Sequence, residues 1–242
     1  MSLIYYEDSS PDLGISWKNI QSIDSVITER NTHVEMVEHP RWGLTCYMDN
    51  TIQSSEVDEA VYHETLVHPA MACAFYRKRI MIVGGGEGAT AREVLKWPDV
   101  EQVDMYDWDK DVVSLFKEKY PQWAKGAWDD SRLNLHYDDI FETIKTHPAK
   151  RYDVIIIDLF DFLEEDKDKW TTLLYHLPYW ANGSVVMYAG MRCISQKEQS
   201  YHVLSQMLRQ HASPISILTR LHSPQNASVH DQLTYHIFCT TF

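Results

Sequence analysis

The sequence predicts an α/β protein: a mostly parallel sheet with helices between its strands, preceded by a small antiparallel β-domain. Three observations predict it. First, Arg79-Ile80-Met81-Ile82-Val83 runs into four glycines, Gly84, Gly85, Gly86 and Gly88, and then into a helical stretch from Thr90 to Lys96. That is strand, tight turn and helix. Second, beyond this turn apolar runs alternate singly with helical patterns, which requires crossover connections and a parallel sheet. Third, the stretch before residue 57 is β-rich and broken by close turns. The expected division is residues 1–56 as a small N-terminal antiparallel β-domain and residues 57–242 as a Rossmann-like domain.

Taken in order, Ser25–Arg30 and His33–Glu38 alternate in polarity around an Arg30-Asn31-Thr32 turn. His39-Pro40-Arg41-Trp42-Gly43 makes another turn, Leu44–Met48 a strand, and Asp49-Asn50 a tight reversal. Residues 57–77 read as a helix, with Ala60, Tyr62, Leu66, Val67, Ala70, Met71 and Ala72 as apolar positions. Strands are expected at 79–83, 102–106, 133–136, 153–158, 184–189, 215–221 and 233–241. Helices are expected at 89–96, 110–119, 139–146, 170–178 and 195–211, with right-handed crossovers and an antiparallel final strand. Asp161–Lys169 reads as a charged loop.

Composition narrows the function. The chain has 242 residues and a net charge of −13, which disfavours nucleic acid, whose phosphates need a basic footprint. The same charge serves solubility and attracts cationic small molecules. No apolar run is long enough to span a bilayer, and the acidic start Met1–Asp8 lacks the shape of a signal peptide. Cys46, Cys73, Cys193 and Cys239 lack metal-ligand spacing, so free thiols in a reducing compartment, no metal and a cytoplasmic location are expected.

The glycine turn fits both Gly-x-Gly-x-x-Ala, a dinucleotide fingerprint, and the tighter Gly-x-Gly-x-Gly of adenosyl-sulfonium enzymes. Glu87 discriminates. A pyrophosphate at the helix start would be repelled by a carboxylate in the loop, whereas an ammonium or sulfonium would be attracted. Ligands of open parallel sheets bind beyond the carboxyl ends of the strands, and acids stand there: Glu87, Asp107 and Asp109, Asp138 and Asp139, Asp158, and Asp161 shortly after it. Asp107 lies about 20 residues past the glycines, where an acid takes ribose hydroxyls. Asp109 and Asp139 also serve as N-caps of the helices they precede, and Asp161 by itself reads as a solvated loop residue. Asp158 directly follows a buried run, so its charge requires a partner.

These residues resemble the polyamine aminopropyltransferases, the spermidine, spermine and thermospermine synthase group. Met48-Asp49-Asn50-Thr51-Ile52-Gln53 is similar to the family's Leu-Asp-Gly-x-x-Gln, and Asp58–Glu64 to its Asp-Glu-x-x-Tyr-His-Glu. Gly84–Glu93 resembles its glycine loop, with Glu87 as in the thermospermine-synthase branch, and Asp158-Leu159-Phe160-Asp161 its Asp-x-x-Asp. The resemblance implies a methyltransferase-like, Rossmann-type seven-stranded sheet behind a small N-terminal β-domain. It implies decarboxylated S-adenosylmethionine as cosubstrate, no metal, a polyamine as the small-molecule partner, and a homodimer or homotetramer. By residue, it implies that Gln53 and Glu87 hold the aminopropyl end, with Gly84, Gly86 and Gly88 forming the cosubstrate loop. Asp107 would take the ribose, and Asp138, with Asp139 beside it, the adenine. Tyr62, Asp158 and Asp161 would orient and deprotonate the amine, and His63 and Glu64 would line its channel.

Three positions depart from the family pattern. Phe162–Lys167 replaces a lid containing Pro and Gly. Tyr188 stands for a Gln after the fifth strand. In the last part of the amine site Pro224 aligns, and Tyr235 is the candidate aromatic. Two other readings stay open: a methyltransferase using the carboxylated cofactor, and a homologue that binds without efficient turnover.

Overall fold

The computed structural model describes residues 3–10, 13–148, 150–160, 164–191, 213–215 and 235–241, with side chains described over 16–148, 150–160 and 165–188. Five strands build an antiparallel N-terminal sheet in sequence order: β1 (Leu3–Ser10), β2 (Leu13–Ile27), β3 (His33–His39), β4 (Gly43–Met48) and β5 (Thr51–Ser55). Positive φ at Asp49 (48°) and Asn50 (63°) gives the β4–β5 hairpin the turn whose twist matches its strands. Asn31 does the same service between β2 and β3, at φ 64°.

The second sheet has seven strands in the order β11-β12-β10-β9-β6-β7-β8. They are β6 (Arg79–Gly84), β7 (Gln102–Tyr106), β8 (Leu133–His136), β9 (Tyr152–Asp158), β10 (Ala181–Met191), β11 (Ser213–Ile215) and β12 (Tyr235–Thr241). The pairs β6–β7, β6–β9, β7–β8 and β9–β10 are parallel, while β12 runs antiparallel to β10 and β11. The α/β class, the parallel sheet and the antiparallel final strand thus follow the sequence reading. The helices are α1 (Glu59–Cys73), α2 (Ala89–Leu95), α3 (Lys110–Lys119), α4 (Ile140–Thr146) and α5 (Lys167–Trp180). No helix among the described residues is long and apolar enough to cross a membrane.

Period-two alternation explains how β6 is held. Ile80 and Ile82 pack on Leu66, Val67, Ala70 and Met71 of α1 and Val94 of α2, whereas Met81 and Val83 join Leu173, Leu174 and Leu177 of α5. All four β6 side chains are fully buried, each worth about 1.5–3 kcal/mol relative to exposure. The N-terminal sheet is tied on by Val34, Met36 and Cys46 against Val112 and Phe116 of α3 and by Trp123.

Some expectations shift. The first helix is shorter than 57–77, because after Cys73 the backbone of Ala74 turns extended. β1 and the first half of β2 carried no clear alternation in the sequence, although Ile20 of β2 is buried with Val37 and Tyr47. Of the expected 215–221 strand only Ile215 is described, in β11. The helix expected at 195–211 lies outside the described residues, as do Cys193 and Pro224. Cys46 and Cys73 are free thiols.

Candidate active site

One row of strand pairing lays out the site. Val83 of β6 is opposite Tyr106 of β7 and Ile157 of β9; Tyr106 is opposite His136 of β8, and Ile157 opposite Met187 of β10. The next residue on each strand therefore belongs to the carboxyl edge: Tyr188, Asp158, Gly84, Asp107 and Tyr137, read across the sheet. Parallel pairing is what places residues so distant in sequence along one line.

The glycine loop fits against this edge so closely that side chains are excluded. Gly84 has φ +81°, and a Cβ there would lie 2.0 Å from the Asp158 carbonyl oxygen. A Cβ on Gly86 would lie 2.7 Å from Asp107 Oδ2, and one on Gly88, also at φ +81°, 2.4 Å from Cζ2 of Trp128. Three glycines thus admit three different neighbours.

Asp158 is held at both oxygens. The Tyr62 hydroxyl donates to Oδ1 at 2.6 Å and the Thr90 hydroxyl to Oδ2 at 2.6 Å. Burial first, and then the charge and hydrogen bond of Asp158, push the Tyr62 phenol well above its ordinary value, so Tyr62 is a donor and not a base. Its ring meets Tyr188 edge-on, with centroids 5.9 Å apart. Asp107 Oδ1 accepts the Asp109 N–H at 2.9 Å. Burial, joined by the Asp109 and Asp158 charges and resisted by the Asp109 and Gly86 N–H groups, pushes the Asp107 carboxyl up to about 6.

Glu87 is not an isolated carboxylate. Its Oε1 meets His63 Nε2 at 2.6 Å and accepts the Ser54 hydroxyl at 3.3 Å. Ser54 Oγ in turn accepts Trp123 Nε1–H at 2.9 Å. On its other side the His63 ring faces Glu59, with Nδ1 2.6 Å from the backbone carbonyl and 3.2 Å from Oε2. Burial draws the imidazole down, but Glu87, Glu59 and Asp158 outweigh it and raise His63 to about 10. The charge argument that singled out Glu87 is therefore modified: the loop carboxylate already carries an internal cation.

Tyr62, His63, Gly84, Gly86, Glu87, Gly88, Asp107, Asp158 and Tyr188 come together at this edge. Gln53 is exposed on β5, with its Nε2–H donating to Thr51 O at 3.4 Å. Glu64 is exposed, with Lys96 Nζ at 3.9 Å. Asp138 is exposed just past β8, and Asp139 caps α4 by accepting the Phe141 N–H at 2.8 Å. Asp109 caps α3 and also accepts the Thr28 hydroxyl at 2.7 Å. Asp161 lies outside the described residues; Tyr235 pairs by backbone with Met191, and its side chain lies outside the description. Sequence reasoning missed Thr90 and Ser54. Thr90 sits inside the glycine motif, one residue into α2, which was the available signal; Ser54 carried none, because only β5 docking beside the loop gives it a role.

The chain is similar to known proteins in both sequence and fold. The spermine/spermidine synthase domain model matches residues 59–216. Polyamine aminopropyltransferase 1 of Hyperthermus butylicus is 50% identical over 123 residues, covering 50% of this chain and 42% of that protein. Polyamine aminopropyltransferase of Aeropyrum pernix is 36% identical over 186 residues, covering 77% of this chain and 58% of that one. The chain spans about half the length of the curated relatives it matches. In fold it is similar to spermidine synthase from Thermotoga maritima, with a TM-score of 0.80 at 21% identity over 99% of this chain and 79% of that one. With the family model covering well over half of its residues, the chain belongs to the spermine/spermidine synthase family.

Proposed function

We propose that the protein transfers the aminopropyl group of decarboxylated S-adenosylmethionine to an amine, releasing methylthioadenosine. The observation that carries the reading is Asp158, fixed at both oxygens by Tyr62 and Thr90 where β9 touches the glycine loop. An alkylamine, with a pKa of about 10, arrives protonated and must lose a proton before it attacks. Asp158 is the carboxylate placed to accept or relay that proton, and Tyr62 keeps it oriented. Asp161 completes the amine site in this reading. The leaving group is activated by its own positive charge, so the protein supplies orientation of two reactants in line.

The loop of Gly84, Gly86 and Gly88, with Glu87, receives the cosubstrate; Asp107 takes the ribose hydroxyls, Asp138 and Asp139 flank the adenine, and Gln53 turns in from β5 to share the aminopropyl end. Glu64, Tyr188 and Tyr235 complete the amine side. The names borne by the relatives, polyamine aminopropyltransferases, support this reading, and one solved neighbour is a spermidine synthase in complex with the transition-state analogue AdoDATO. A homodimer or homotetramer working in the cytoplasm belongs to the same proposal and is checked by sedimentation velocity and cell fractionation.

The test is product analysis. The protein is incubated with decarboxylated S-adenosylmethionine and, in turn, putrescine, cadaverine, spermidine and agmatine. Methylthioadenosine together with one aminopropylated amine is the expected result. Absence of methylthioadenosine with every amine rejects the proposal, and methylation from S-adenosylmethionine instead would establish the methyltransferase reading.

A further inference from the structure

The two motifs at the site contain three charged residues that have no role in the reaction just proposed: Glu59, Arg92 and Glu93. All three are buried. Arg92 grips Glu59 with a planar fork, Nη1 to Oε1 at 3.1 Å and Nη2 to Oε2 at 2.8 Å, while its Nε reaches Glu93 Oε1 at 2.7 Å. A further Nη1–H bond to the Trp123 carbonyl fixes the guanidinium plane. Glu59 continues to His63, and His63 to Glu87. The result is an alternating line of charge, Glu93, Arg92, Glu59, His63, Glu87, that starts behind α2 and ends in the glycine loop.

Two features tell what the line is for. Both protein contacts to Glu87, from His63 and Ser54, land on Oε1, so Oε2 takes no hydrogen bond among the described residues. At the far end Lys96 Nζ meets Glu93 Oε2 at 2.5 Å and His68 Nε2 meets it at 3.1 Å. With His63 charged, the three carboxylates are therefore matched by Lys96, Arg92 and His63, and it is the open Oε2 of Glu87 at the loop end that still lacks a cationic partner among the described residues. A half-buried carboxylate oxygen of that kind favours a cationic ligand that meets it. The groups facing His63 are Glu59 and Tyr62 on α1, Glu87 in the loop and Asp158 on β9, with Arg92 behind Glu59 and Ser54 behind Glu87. All but Arg92 favour the imidazolium or are neutral.

We propose that Arg92 and Glu59 are positioning residues which, through His63, lock Glu87 with Oε2 presented to the ammonium of the aminopropyl arm, and so select a cosubstrate that carries a bare cation there. This rests on the reading of the site as an aminopropyltransferase. A carboxylate on the same arm meets Glu87 Oε2, another carboxylate oxygen, and is rejected.

The test measures binding, by calorimetry at pH 8, of decarboxylated S-adenosylmethionine and of methylthioadenosine, which lacks the arm. Glu59→Gln keeps the shape at position 59 and removes its charge; Arg92→Lys keeps the charge and removes the fork. Each is expected to weaken decarboxylated S-adenosylmethionine at least tenfold and methylthioadenosine less than twofold. Equal loss for both ligands, or no loss in a folded variant, overturns the inference. Should both variants fail to fold, nitrogen NMR of His63 in the unaltered protein decides: a charged ring at pH 8 supports the line of charge and a neutral ring overturns it. Binding of both ligands by the unaltered protein without methylthioadenosine formation from any amine would reject the activity and leave the ligand ratio to judge the positioning role. Binding of neither would reject the two together.

Discussion

At the scale of single residues, Asp158 and Tyr62 form the pair from which reactivity is derived. Asp158→Asn keeps the size and removes the proton acceptor, so turnover is expected to fall by about 10²–10⁴-fold with little change in methylthioadenosine affinity; a steady-state assay paired with calorimetry checks this. Tyr62→Phe leaves Asp158 Oδ1 without its 2.6 Å donor, which costs about 1 kcal/mol of stability and, through misorientation, up to about 10² in turnover. Asp107 makes the site sensitive to pH. Its carboxyl is pushed up to about 6 by burial, and hydroxyl donors bind the ionised form. Affinity for methylthioadenosine is therefore expected to rise as pH rises through about 6 and level off above it. Calorimetry between pH 5 and 8 checks the slope, and Asp107→Asn should remove it along with most of the affinity.

At the scale of elements, the strand–turn–helix unit of β6, the glycine loop and α2 carries the greatest constraint. Gly84 combines φ +81° with a backbone contact that a Cβ would enter at 2.0 Å. Gly84→Ala is expected to lose about 1–3 kcal/mol from the conformation alone and to push the end of β9, and Asp158 with it, out of line. A lowered denaturation midpoint together with lost turnover is the expected outcome; unchanged values for both would contradict the contact. β6 and β9 were legible in the sequence because buried parallel strands are written as apolar runs, while the shorter, mixed 102–106 and 133–136 strands and the 110–119 helix also end where expected. β1 and the first part of β2 were not legible, since Leu3-Ile4-Tyr5-Tyr6-Glu7-Asp8 in β1 and Trp17-Lys18-Asn19-Ile20-Gln21 in β2 mix polar and apolar side chains without a period.

At the scale of the whole molecule, the buried line of charge joins α1, the glycine loop and α2, and Ser54 links it to the N-terminal sheet. Its effect on stability has opposite signs at the two ends of the pH range. Glu59 resists burial through His63 and Arg92 and is lowered from 4.5 to about 2, so its contribution is complete above about 4.5 and is lost as pH falls through about 2. His63 is raised from 6.5 to about 10, so its contribution is complete below about 6.5 and is lost as pH rises through about 10. The urea midpoint is expected to decline steadily from pH 7 to 10, and His63→Gln should give a lower midpoint with a flatter slope.

By itself the sequence determined the α/β class, the order of strands and helices from β6 to β10, the glycine turn and the acids that end the strands. It could do so because these are local properties: hydrophobic period, turn chemistry and residue type. Only the tertiary structure decided which of those acids meet. Strand register lined up Asp158, Gly84 and Asp107, and it was the docking of α1 against the loop that gave Glu87 its imidazolium. The separations involved, 96 residues from Tyr62 to Asp158 and 33 from Glu59 to Arg92, leave no periodic trace, because a contact made across the sheet imposes no rule on the residues in between.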